Sequence, residues 1–140
     1  MRLRLFIDSG PLIAKYNRKD PYYHQVKLVF DKIQAKEIDI TRIYTSNLVI
    51  GETLTHVLYA THDLEYCQKI LNLVVQSRYI ETIYVDREMD AEIRTTFLKY
   101  FDQGLSYVDC SNIAIMKEHK IDAIFTIDAT FKNLGFTCLP

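Results

Sequence analysis

LRLFIDSGP, residues 3–11, is the stretch on which the reading of the whole chain turns. Leu3, Leu5, Phe6 and Ile7 make a short, mostly apolar run, the signature of a buried strand rather than of an amphipathic helix. The run ends at Asp8, and the pair Gly10-Pro11 breaks it. A strand that opens the chain and delivers a carboxylate at its carboxyl end sets the frame for everything downstream.

Working outward, residues 21–36 place Tyr22, Val26, Val29, Phe30 and Ile33 at helical spacing, one stripe facing a core. IYT (43–45) reads as a second strand, and Ser46 can cap the helix after it. Two helices fill 46–77 with a break near Thr61–Asp63. YIETIYV (79–85) is the third strand. Residues 86–102 are helical, with Asp86, Glu88 and Asp90 suiting the positive end of the helix dipole. A loop at Gln103-Gly104 precedes a helix over 107–119, the strand AIFTI (123–127), a short helical turn and a last strand, FTC (136–138). Alternating strands and helices predict an α/β fold whose parallel sheet carries helices on both faces.

The sequence has 140 residues, 49% of them apolar, enough for one domain with a real core, and no linker or repeat divides it. We therefore read residues 1–140 as a single domain. It holds 17 Lys+Arg against 18 Asp+Glu, so no blanket basic charge announces a polyanion partner. The first 70 residues carry 10 basic and 8 acidic groups (+2) and the last 70 carry 7 and 10 (−3), a mild asymmetry. Cys67, Cys110 and Cys138 are widely spaced and form no CxxC pair, which argues against a disulfide scaffold or zinc ribbon and suits a reducing cytoplasm. The apolar runs are too short to span a bilayer. The expectation is a soluble, cytoplasmic protein without a membrane partner.

In an open parallel sheet, ligands gather outside the carboxyl ends of the strands. Asp8 ends the first strand and Asp128 the strand AIFTI. Glu52 lies early on the helix leaving the second strand, and Asp109 in the first turn of the 107–119 helix. Each also has a purely structural reading. Asp8, with Ser9, and Asp128 are N-cap candidates, and Ser106-x-x-Asp109 matches a capping box. Glu52 resists such a reading most, because it shares the helical side of Leu48 and Val49, where an unpaired carboxylate is costly. Four such groups at separations of ~6 Å would repel by roughly 3 kcal/mol per pair at an effective dielectric of about 20. A cluster of that kind needs a cation or protons to persist, and all-oxygen donors point to Mg²⁺ or Mn²⁺ rather than zinc.

Together, FIDSGPLIA with Asp8, TSNLVIGE with Glu52, LSYVDCSNIAI with Asp109 and AIFTIDATF with Asp128 resemble the PIN-domain family, including its VapC-type toxin ribonucleases. The resemblance spans nearly the whole chain. It implies a three-layer α/β/α sandwich on a five-stranded, mostly parallel sheet. It also implies that Asp8, Glu52, Asp109 and Asp128 hold one or two Mg²⁺ or Mn²⁺ ions, and that the activity is hydrolysis of RNA phosphodiester bonds by a metal-activated water. Ser9 and Thr126 stand where the family commonly carries hydroxyl residues, and Asn112 where many members carry Asp or Asn. Each of the three is a candidate supporting or substrate-contacting group. Gly10 departs from the commoner Ser, Thr or Asn, at the expected loss of one polar contact at most. Family members are commonly homodimers, and toxin members pair with a separate antitoxin chain.

Lys15, Arg18 and Lys19, interleaved with Tyr16, Tyr22 and Tyr23, are candidate RNA contacts, and Arg2, Arg4 and Arg42 add to the positive charge of the first half. They equally suit a solvated face. His56, four residues after Glu52, reads either as a partly buried histidine or as a partner that orients Glu52. Phosphatase and receiver-domain chemistry is disfavoured, because position 10 is Gly and Asp8 stands alone at its strand end. Two readings stay open beside the toxin ribonuclease: an RNA-processing or quality-control nuclease, and a non-catalytic scaffold for RNA or protein.

Overall fold

The computed structural model describes residues 2–140. Strands β1 (Leu3–Ile7), β2 (Ile40–Ser46), β3 (Ile80–Ile83), β4 (Ala123–Phe125) and β5 (Cys138–Leu139) form one sheet in the order β3-β2-β1-β4-β5. Every pairing is parallel. Leu5, Phe6 and Ile7 are consecutive and all fully buried, so both faces of the central strand are covered, as a parallel sheet requires. The helices α1 (Ser9–Lys15), α2 (Tyr23–Gln34), α3 (Asn47–Thr61), α4 (Leu64–Val75), α5 (Arg87–Lys99), α6 (Tyr107–Glu118) and α7 (Ala129–Asn133) supply that cover. The result is the three-layer α/β/α arrangement. No helix is long and apolar enough to cross a membrane among the described residues.

The break anticipated near 61–63 is a left-handed residue, His62 (φ 51), followed by Asp63, whose side chain caps α4 by accepting from Tyr66 N–H at 3.1 Å. Several boundaries differ from the sequence reading: β2 runs over Ile40–Ser46 rather than 43–45, AIFTI is strand only over Ala123–Phe125, and the last strand is Cys138–Leu139 rather than 136–138. The strand anticipated over 79–85 shortens to Ile80–Ile83, because Asn47 Oδ1 takes the Val85 N–H at 2.9 Å and diverts the backbone from the ladder. Gly10-Pro11, read as a breaker, lies inside α1. Proline is tolerated there because the first-turn N–H groups have no intrahelical acceptor.

Gly10 has a packing reason of its own. A Cβ at this position would stand 3.1 Å from two side-chain carbons of Ile127. The glycine thus lets the start of α1 close on the β4–α7 connection, rather than merely forgoing a polar contact.

The strand order places β1 at the centre, with the chain moving to β2 on one side and to β4 on the other. Backbones that leave two adjacent strands in opposite directions open a crevice at their carboxyl ends. Asp8 N–H donates to Phe125 O across that point at 3.0 Å, tying the two strand ends together.

Candidate metal centre

All four carboxylates anticipated from the sequence, Asp8, Glu52, Asp109 and Asp128, line one open cleft of about 360 Å³ at the carboxyl ends of β1 and β4. They come from β1–α1, α3, α6 and β4–α7. Ser9 and Thr126 line it too, and Asn112 lies directly behind Asp8.

The hydrogen bonds show how the chain builds the site. Asp8 is the N-cap of α1 and is only 6% exposed. Its Oδ1 accepts from Ser9 N–H at 2.8 Å and from Asn112 Nδ2 at 3.0 Å, and its Oδ2 accepts from the Thr126 hydroxyl at 2.9 Å. Thr126 Oγ1 in turn accepts from Asp128 N–H at 3.1 Å, so one hydroxyl couples the first acid to the last. Ser9 Oγ donates to Glu52 Oε1 at 2.5 Å and links α1 to α3. Asp109 completes the capping box, with Ser106 N–H on its Oδ2 at 3.0 Å, and Asp128 caps α7 through Thr130 N–H on its Oδ1 at 2.9 Å. The capping readings of Asp8, Asp109 and Asp128 are therefore correct, and they are not alternatives to the cleft. The caps are the means by which three carboxylates are aimed at it.

One expectation is corrected. Glu52, read as the carboxylate on the inward side of its helix, is exposed; Val49, Ile50, Thr53 and Val57 form the buried stripe of α3. It reaches the cleft from the margin of that stripe. The strongly buried acid is Asp8. Burial pushes its carboxyl up to about 6 from the ordinary 3.8, and Asp109 and Glu52 add like-charge repulsion; the Ser9 N–H and the Thr126 hydroxyl pull the other way.

The donor set fits a hard divalent cation. Asp109 Oδ1, Asp128 Oδ2 and Glu52 Oε2 carry no hydrogen bond among the described residues, so each peripheral acid keeps an oxygen free. Asn112 Oδ1 is buried and without a partner beside Asp8, an orphaned acceptor that a cation or its hydration shell would satisfy. Among the described residues, no three acidic, His or Cys side chains are already gathered into a tight cage.

The structure sorts the remaining candidates. Lys15 turns away from the cleft: its Nζ lies 4.2 Å from the Phe30 ring centroid, and burial lowers its pKa. Arg4 and Arg42 lie near the amino ends of β1 and β2, opposite the cleft; Arg4 donates to Tyr44 Oη at 2.8 Å and Arg42 pairs with Glu81. Arg2 pairs with Asp39. Arg18 and Lys19 stay exposed on the α1–α2 loop. That loop also brings two residues to the cleft: Asp20, a fifth carboxyl group that the sequence does not single out, and Tyr22, one of the three tyrosines interleaved with the basic residues. The only signal for Asp20 was Asp-Pro at 20–21, which reads as a turn. His56 is exposed and lines the cleft instead of being partly buried.

No curated protein sequence matches the chain significantly. Among solved structures, Mycobacterium tuberculosis VapC20, a sarcin–ricin loop cleaving toxin, superposes with a TM-score of 0.81 at 20% identity, over 95% of this chain and 96% of that one. VapBC2 from Rickettsia felis, solved with a DNA fragment from its promoter, gives 0.67 at 14% identity over 99% and 97% of the two chains. FitAcB from Neisseria gonorrhoeae gives 0.62 at 15% identity over 97% and 96%. At these identities the likeness establishes the fold. The PIN domain family model matches residues 5–137, so it takes in every one of the four acids. The chain belongs to the PIN domain family.

Proposed function

We propose that the protein is a Mg²⁺- or Mn²⁺-dependent ribonuclease, the toxin of a toxin–antitoxin pair, acting in the cytoplasm. The observation that carries this reading is the convergence of four carboxylates from four separate elements on one cleft, around a buried Asp8 held by three hydrogen-bond donors. Folding alone gains nothing from such repulsion, whereas a polyvalent cation relieves it and can in turn bind the anionic phosphodiester.

Asp8, Glu52, Asp109 and Asp128 would hold one or two ions. A bound divalent cation supplies a nucleophilic water near neutral pH and stabilises the charge that develops on the phosphate. Ser9, Asn112 and Thr126 keep Asp8 ionised and oriented by donating to it or, in the case of the Ser9 hydroxyl, fix Glu52. Asp109 and Asp128 line the cleft with an oxygen free of hydrogen bonds among the described residues, and one of the two would accept the proton of the attacking water. Products with 5′-phosphate and 3′-hydroxyl ends follow from that chemistry. Arg18 and Lys19, exposed on the loop that brings Asp20 and Tyr22 to the cleft, would meet RNA phosphates.

The toxin role is supported by the likeness to VapC20, VapBC2 and FitAcB over nearly whole chains. Large apolar side chains are exposed near the α3–α4 turn, at Tyr59 and Leu64, and around the end of α5, at Leu98 and Phe101. These suit protein partners, a second copy of the chain and an antitoxin. Free Cys67, Cys110 and Cys138 suit a reducing compartment. A small DNA-binding-protein gene beside this one would favour the toxin role over an RNA-processing one.

The test is cleavage of cellular RNA with and without Mg²⁺. Wild type should cut and leave 5′-phosphates, EDTA should stop it, and Asp8→Asn and Asp128→Asn should each lose at least about 100-fold, as losing a metal-holding group costs. Equal cleavage by wild type and Asp8→Asn in Mg²⁺ overturns the proposal. A folded wild type with neither cleavage nor a cation-linked rise in melting temperature favours the scaffold reading.

A further inference from the structure

Four side chains of the cleft take no part in holding the acids: those of Ile13, Tyr22, His56 and Ile127. The cleft contains five carboxyl groups, counting Asp20, and no lysine or arginine. His56 is the only side chain lining it that offers a nitrogen donor. It stands one helical turn beyond Glu52 on α3, exposed, without a hydrogen-bond or ion-pair partner among the described residues. Tyr22 is 45% exposed and brings a flat ring to the same cleft from another element. Its backbone is fixed by Asp20, whose Oδ1 accepts from Tyr22 N–H at 2.8 Å, so the ring is offered at the end of a closed turn. Tyr16 and Tyr23 are committed elsewhere: Tyr16 packs on the core and accepts a hydrogen bond from Tyr66 through its carbonyl, and Tyr23 lies edge-on to His24.

We propose that Tyr22 and His56 form the nucleotide-recognition part of the cleft. Tyr22 stacks on an unpaired base beside the scissile phosphate, and His56 donates an N–H to an adjacent phosphate oxygen. The chemistry follows from the lining. A partly exposed aromatic ring in an otherwise acidic cleft that also exposes the apolar Ile13 and Ile127 matches a nucleobase, which offers a π-face whatever its identity. Bases within a duplex have both faces covered, so the ligand is RNA in a loop, bulge or single strand. A phosphate approaching this many carboxyl groups needs a donor that belongs to none of them, and His56 supplies it. A tyrosine gives up little conformational freedom on binding, which makes it an efficient platform.

This inference rests on the ribonuclease reading and is tested with total cellular RNA in Mg²⁺. Cut sites and rates are read by sequencing 5′-phosphate ends over a series of protein concentrations. Tyr22→Leu and His56→Ala should each raise the half-saturating concentration by about 5- to 100-fold, with the maximal rate within about threefold of wild type. Tyr22→Phe should behave as wild type, and His56→Asn, which keeps an N–H donor, should recover part of the loss. Tyr22→Leu should also blunt any preference for the base beside the cut. Melting curves in Mg²⁺ should match wild type, separating lost recognition from lost folding or lost cation. If Tyr22→Leu and His56→Ala saturate at wild-type concentration and cut the same sites with the same preference, the subsite is wrong and the ribonuclease reading stands. If wild type cuts nothing, that reading fails and the subsite with it.

Discussion

Asp8 carries the tension of the site. Its carboxyl is buried, sits near Asp109 and Glu52, and is pushed up to about 6 from an ordinary 3.8. Between those values the folded chain binds more protons than the unfolded one, so this group's effect on stability falls as pH rises through the window and levels off above it. About two pH units of displacement correspond to about 3 kcal/mol at most. Asp8→Asn removes the ionisation while leaving an amide oxygen for Ser9 N–H, and the Thr126 hydroxyl can turn to accept. Melting of the metal-free proteins should therefore show the variant gaining on wild type as pH rises from about 4 to about 7. A difference flat with pH would mean that Asp8 is ordinary. With Mg²⁺ present the order should reverse, because only wild type gains from the cation.

At the scale of elements, three helix N-termini serve the site. Asp8, Asp109 and Asp128 each accept a backbone N–H at the start of α1, α6 or α7, so a helix end fixes one oxygen and leaves the carboxylate aimed at the cleft. Asn caps as well as Asp. Asp128→Asn should accordingly keep metal-free stability within about 0.5 kcal/mol of wild type while abolishing cleavage, which separates the two duties of that residue. Ser106 is the converse case. It touches none of the chemistry but holds Asp109 through the capping box. Ser106→Ala should lower stability by about 1 kcal/mol and reduce the cleavage rate severalfold, with Ser106→Asn restoring much of both. Stability lost with full activity retained would show that Asp109 needs no such anchoring. Helix α6 serves twice, since Asp109 and Asn112, three residues apart, share a face toward Asp8.

Over the whole molecule, the crevice exists because β1 sits at the centre of the sheet with β2 and β4 on either side. The carboxylates are spread from residue 8 to residue 128, and only closure of the entire sheet brings them together. Cation binding should therefore report on global folding. At 100 times its dissociation constant, Mg²⁺ or Mn²⁺ should stabilise the protein by about 2.7 kcal/mol in a single cooperative melting transition. Asp8→Asn should show none of this, and a cation effect of equal size in the variant would locate binding elsewhere.

Much of this was written in local sequence. The apolar run 3–7 ending at Asp8, the Ser106-x-x-Asp109 box and Asp128 after AIFTI identified three strand or helix ends with their acids, because strands, caps and helical stripes are set by neighbours a few residues apart. The alternation of elements was legible for the same reason. Local pattern misjudged what depends on remote packing. Glu52 was assigned the costly burial that belongs to Asp8, since solvent access depends on how α3 lies against the rest of the fold. Gly10 looked like a small loss of polarity until Ile127, over 100 residues away, proved to occupy the space of a Cβ. Asp20 reads only as part of a turn, and Tyr22 and His56 have structural readings as good as their functional ones, because a loop and an exposed helix face become walls of a cleft only once the chain has closed. The sequence by itself determined which acids stand at element ends and hence which groups the opening strand FID presents. The tertiary structure alone decided which of them is buried, what else shares their cleft and how one hydroxyl, that of Thr126, couples the first acid to the last. The physical reason is that caps and periodicity are short-range, whereas desolvation and convergence are properties of the closed fold.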